Sequence, residues 1–152
     1  MPTHDSERND AEHDAGGAAR DAVSRYLRSR GVSDRVRRMG LRDVVAQWEA
    51  IAQTAARYDL TLDDWLNDLD LRDIVAGAFA AASPTQRDDA REALDRADAL
   101  FRAGTVETDR SLWGDAVALA DEHDPKRQWW YFRRPANPGD SMRADLISAG
   151  IA

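Results

Sequence analysis

The chain contains no cysteine. Disulfides, thiolate metal sites and cysteine nucleophiles are therefore excluded. Lysine is nearly absent: Lys126 is the single one, and every other basic residue is arginine. No apolar run approaches the length of a membrane span. The sequence also lacks G-x-x-x-x-G-K-[ST], G-x-G-x-x-G and G-x-S-x-G, so an ordinary hydrolase, kinase or dinucleotide enzyme is not expected. The opening MPTHDSERNDAEHDAGG has neither the basic nor the apolar region of a signal peptide, and a cytoplasmic location is expected.

What is present points to helices. A length of 152 residues suits one domain, and the hydrophobic share of 43% suffices for a core. Much of that share is alanine, the best helix former. Bulk must then come from a few large side chains, so the five tryptophans carry unusual weight. The net charge of −7 argues against general nucleic-acid binding. Its distribution says more. Residues 1–19 and 59–73 are acidic, the latter with six aspartates against Arg72. Residues 20–42 carry eight arginines against Asp21 and Asp34, and 126–134 holds four basic residues and no acid.

Residues 1–14 have too few apolar side chains to offset ordering entropy and are expected to be a disordered tail, leaving 15–152 as one helical domain. A first helix is predicted over about 15–30, with Gly31 just past its end. A capped turn follows at Ser33 or Asp34, weakened by Gly40. The cleanest periodicity is Leu41, Val44, Val45, Trp48, Ile51, Ala52, Ala55 and Tyr58 on one face. Thr61 with Asp64 forms a capping-box pattern opening the next helix. Its apolar phase slips after Leu69, which predicts a break at Asp70 and a second helix beyond it. Ser83, Pro84 and Gln86 mark another helix start, with Leu94, Ala97, Leu100 and Phe101 inward and Gly104 at the end. A polar connection over 105–110, a short helix capped by Asp109 or Ser111, and a last helix from Asp140 or Ser141 complete the chain. The run QWWYF at 128–132 is too short to read as strand or helix. No segment offers it a partner strand, so a sheet is not expected. The expected fold is all-α, an irregular bundle of about five or six helices with an aromatic C-terminal segment packed on it.

Three stretches carry candidate chemistry. In YDLTLDDWLNDLDLRD (58–73), Asp64 and Asp68 share a helix face with Asp63 beside it. The favoured reading is a solvated face with capping aspartates. An acidic protein-binding patch comes next, and a divalent-cation site last, since the EF-hand glycine and any Glu-x-x-His are lacking. In RYLRSRGVSDRVRRMGLR (25–42), Arg28, Arg30, Arg35, Arg37 and Arg38 either face solvent and pair with the aspartates of 59–73 and 88–98, or contact a partner. In KRQWWYFRRP (126–135), Trp130 and Arg133 either stack with a partner or belong to an intramolecular plug with cation–π contacts. The plug is favoured, its basic residues complementing the aspartates of 59–73. His123, inside DEHDP, is a candidate base or ligand with Asp121, Glu122 or Asp124. Its plainer role is a helix-end histidine meeting the dipole.

The segments LDDWLNDLD and WWYFRRP together resemble a group of small helical bacterial proteins in which LDDYLNDLD follows a tryptophan-bearing helix. The likeness spans about residues 41–146, with Trp65 where the group has tyrosine. It implies a single helical domain and brings no activity with it.

The sequence thus favours a non-enzymatic protein-binding module, an inhibitor or immunity-type protein that masks a basic partner. Contacts are expected at Asp63, Asp64, Asp68, Arg35, Arg38, Trp130 and Arg133. A nucleic-acid-binding regulator using the arginines of 20–42 is the alternative, and a carboxylate metal-dependent hydrolase a further one. No cofactor, metal or membrane is expected.

Overall fold

The computed structural model describes residues 22–32 and 40–151. The expected tail at 1–14 and the capped turn at 33–39 lie outside them. Helix α1, residues 22–29, buries Val23 and Leu27. It closes as the sequence implies: Gly31, at φ +72°, donates to Arg28 O, and Val32 N donates to Leu27 O at 3.1 Å.

Gly40, at φ +79°, immediately precedes the next helix. Helix α2 (Leu41–Thr54) buries Leu41, Val44, Val45, Trp48 and Ala52, and a single 3₁₀ turn (Ala55–Arg57) carries the chain to buried Tyr58. Helix α3 (Leu62–Ala81) starts at the Thr61–Asp64 capping box. It runs through Asp70 without the expected break. The slipped apolar phase is accommodated because α3 is covered on several sides. Trp65 meets Tyr58 and Phe101, Gly77 meets Tyr26 of α1, Leu62 N reaches Asp145, and Arg72 lies under the aromatic segment. A helix enclosed in this way needs no single stripe.

Helix α4 (Pro84–Ala103) opens with the reciprocal Ser83–Gln86 box and Pro84 in the first turn. Such a cap is worth about 1 kcal/mol. Ala90, Leu94, Ala97 and Phe101 face inward. Leu100, expected inward, is 42% exposed because it sits one residue off that stripe. Helices α2 and α4 form the most extensive pair. Trp48 and Phe101 meet across it at 4.6 Å, while the buried alanines Ala52, Ala90 and Ala97 leave room for these large rings.

The connection after Gly104 corrects a second expectation. Strand β1 (Thr105–Glu107) pairs antiparallel with β2 (Arg133–Pro135), matching Thr105 with Pro135 and Glu107 with Arg133. Each strand has only three residues, too short to show a period of two in the sequence. Between the strands, helix α5 (Asp115–Ala120) follows Gly114 at φ +89° and buries none of its residues; neither Asp109 nor Ser111 caps it. The aromatic run forms a 3₁₀ turn (Trp129–Phe132) with Trp130, Tyr131 and Phe132 buried, and then enters β2. Helix α6 (Asp140–Ser148) buries Met142 and Leu146. The fold is mostly helical, with its aromatic C-terminal segment packed on the bundle. Among the described residues no helix is long and apolar enough to cross a membrane.

Candidate functional site: a polar cleft beside the aromatic turn

The aspartates of 59–73 do not form one patch. Asp59 and Asp63 are exposed. Asp64 closes the capping box, and its hydrogen bonds from the Thr61 hydroxyl and backbone lower its pKa. Asp68 is half-buried and accepts from the Tyr58 hydroxyl at 2.6 Å. Burial pushes the Asp68 pKa up, the Tyr58 bond opposes this, and the charge of Asp64 adds to it. Burial and Asp68 also raise the Tyr58 pKa, so that phenol stays a donor.

Asp70 and Asp73, three residues apart on α3, face the other way. They form one wall of a cleft of about 390 Å³. Arg30 enters it from α1, Trp113 and Val117 from the start of α5, Asp121 and His123 from its end, and Gln128 and Tyr131 from the aromatic segment. Asp70 was expected at a helix break. Instead its Oδ1 accepts from the Tyr131 hydroxyl at 2.7 Å and from Trp113 Nε1 at 3.2 Å. Asp73 accepts from Arg30 at 3.0 Å and from Gln128 Nε2 at 3.3 Å. Burial and the bond to Asp70 raise the Tyr131 pKa, which keeps that hydroxyl protonated. For Arg30, burial works against the cation, but Asp73 and Tyr26 outweigh it and its pKa rises.

His123 is placed by local strain. Glu122 adopts φ +54°, and His123 N then donates back to Ala118 O at 2.9 Å. A side chain in that left-handed conformation costs roughly 1–2 kcal/mol. The imidazole lies flat on Tyr131 at 4.4 Å and 11°, with Nδ1 2.9 Å from Ser111 Oγ. Its partner is thus Ser111 and not one of the neighbouring acids. Ser111 is 2% exposed and also accepts from Trp113 N, so its hydroxyl holds the ring and is closed off as a nucleophile.

Three carboxylates (Asp70, Asp73, Asp121) against one guanidinium (Arg30) leave the cleft with about two negative charges when His123 is neutral. No three Asp, Glu or His side chains among the described residues converge closely enough to hold a metal ion. The arrangement is suited to cations that spread their charge.

Trp130 and Arg133, also expected as contacts, are engaged within the fold. Trp130 is 2% exposed, lies under Arg72 at 4.6 Å, and its Nε1 has no partner among the described residues. Arg133 donates to Thr105 Oγ1 at 2.7 Å and to the carbonyls of Arg102 and Thr105. Burial lowers its pKa, with Glu107 opposing. The basic residues of 126–134 therefore do not complement the aspartates of 59–73 as expected; Arg133 and Arg134 bond backbone oxygens. Arg28 is exposed and Arg30 is paired with Asp73, while Arg35, Arg37 and Arg38 lie outside the described residues.

Sequence reasoning missed Trp113, Gln128 and Tyr131 as partners of α3. The three-residue spacing of Asp70 and Asp73 was the available signal. Comparison of the chain with protein-family models, curated proteins and solved structures finds no match.

Proposed function

We propose that the protein is a cytoplasmic, non-enzymatic binding module that engages a basic partner protein, and that the cleft beside the aromatic turn is its point of engagement. One observation carries this reading: an open cleft whose carboxylates exceed its cations and are already oriented by hydrogen-bond donors of the fold. The Tyr131 hydroxyl, Trp113 Nε1 and Gln128 fix Asp70 and Asp73 before any partner arrives. Fixed charges of one sign steer a partner of the other sign and select against wrong ones. The buried Ser111 hydroxyl supports a binding role over a hydrolytic one.

Affinity capture from cell extract with the immobilised chain tests the reading. The native chain should recover a basic protein. Asp70→Asn with Asp121→Asn should lose it, and Asp63→Asn with Asp64→Asn should keep it. Retention by the cleft variant together with loss by the second would move the contact to the start of α3 and refute the proposal.

A further inference from the structure

Resting on that reading, we infer that the cleft selects a guanidinium, so that the partner presents an arginine side chain to it and not a lysine. The carboxylates line a cleft of about 390 Å³ without converging on a point. An ammonium is a compact, strongly hydrated point charge, whereas a guanidinium spreads charge and five N–H donors over a plane and is more weakly hydrated. The half-buried Trp113 indole also lines the cleft, and guanidinium groups stack on indole faces. Tyr131 is buried under the His123 ring and offers its hydroxyl, not a face.

The chain itself shows how an arginine fits here. Arg30 NH1 lies 3.0 Å from Asp73 Oδ2 and 3.0 Å from the Tyr26 hydroxyl, a carboxylate and a phenol together. On the same wall Asp70 also lies beside a phenol, the Tyr131 hydroxyl, which donates to its Oδ1 at 2.7 Å. Asp70 Oδ1 is taken by Tyr131 and Trp113, while no described residue donates to Oδ2. Oδ2 is the acceptor for the incoming arginine, with Asp121 at the rim.

The Trp113 indole N–H signal reports on the site, because that group donates to Asp70. It would be assigned by its disappearance in Trp113→Phe. The full chain is then titrated at low ionic strength with acetyl-Gly-Arg-Gly-amide and with its lysine and citrulline counterparts. The arginine peptide should shift the signal, the lysine peptide should bind about tenfold more weakly, and the neutral citrulline peptide should leave it in place. Asp121→Asn, an exposed change that spares the core, should weaken the arginine response. Equal binding of lysine and arginine peptides would overturn guanidinium selection and leave the acidic cleft standing. An equal shift with citrulline would overturn it as well, since charge would then not be read. No shift with either cationic peptide would overturn both the selection and the cleft reading.

Discussion

Asp98 holds more of the core together than any sequence pattern suggests, and replacing it is the sharpest test of the packing argument. Its carboxylate receives Arg72 through Nε at 2.9 Å and NH2 at 3.0 Å, and also takes Trp48 Nε1 at 2.9 Å. The Arg72 and Asp98 side chains are 8% and 17% exposed, so little solvent screens the pair. Asp98→Ala leaves a buried guanidinium without its counter-ion, at a cost of about 3–5 kcal/mol. An orphaned indole N–H adds about 1–3 kcal/mol. Against a usual total of about 5–15 kcal/mol, that is enough to unfold a marginal domain. Urea denaturation followed by tryptophan fluorescence reads the effect; with a slope near 2 kcal/mol/M the midpoint should fall by roughly 2–4 M. Arg72→Met with Asp98→Leu should recover most of the loss, because an apolar pair replaces a buried ion pair with little penalty. A cost below about 1 kcal/mol for Asp98→Ala, the value of a surface pair, would refute the reasoning. So would a double variant less stable than the single one.

Two further perturbations test the docking of α1 and the burial of Asp68. Glycine inside a helix usually costs about 1 kcal/mol against alanine, so Gly77→Ala would ordinarily stabilise α3. Here a Cβ on Gly77 would overlap the Tyr26 phenol, so the substitution should destabilise the chain and raise amide exchange over 22–29. The sign should reverse in a Tyr26→Ala background, and failure to reverse would discard the steric explanation. For Asp68, the folded-state pKa is raised, chiefly by burial, so the folded chain binds more protons than the unfolded one between the ordinary carboxylate range and that raised value. Stability therefore falls as pH rises through this window and is regained on acidification. Asp68→Asn keeps an acceptor for the Tyr58 hydroxyl and removes the buried charge. Thermal melts across the acid range should show a flatter profile and no loss at neutral pH, and a clear loss at neutral pH would contradict the assignment.

The helical framework was largely legible in the sequence because its signals are local. The apolar stripe from Leu41 to Ala52 and the Ser83–Pro84–Gln86 start are written within a few residues, and the structure follows them. The errors arose where distant partners decide. The phase slip after Leu69 reads as a break only if one face of the helix is covered, and α3 is covered by α1, α2, α4 and the aromatic turn. The β1–β2 ladder joins Glu107 to Arg133 across a long separation, and neither strand is long enough to announce itself. The cleft was the least legible element. His123 was noted beside Asp121, Glu122 and Asp124, but its bond to Ser111 and its stacking on Tyr131 depend on how α5 folds back.

The same reasoning explains why an acidic stretch yields an acidic cleft and not an acidic patch. Helical geometry puts Asp64 and Asp68 on one face and Asp70 and Asp73 on another, and each meets whatever donor lies opposite. Asp64 meets a backbone N–H, Asp68 a phenol, Asp73 a guanidinium and an amide, and Asp70 a phenol and an indole. Around Asp68 and Asp70 the donors are aromatic N–H and O–H groups. Neutral donors orient a carboxylate without cancelling its charge. Asp70 is consequently held in a fixed position at the cleft wall by neutral donors, whereas Asp63 is exposed and has no described partner to hold it. Recognition by an already ordered group costs less side-chain entropy than recognition by a free one. The physical case for a binding site therefore follows the aromatic donors, from the start of α3 to its middle.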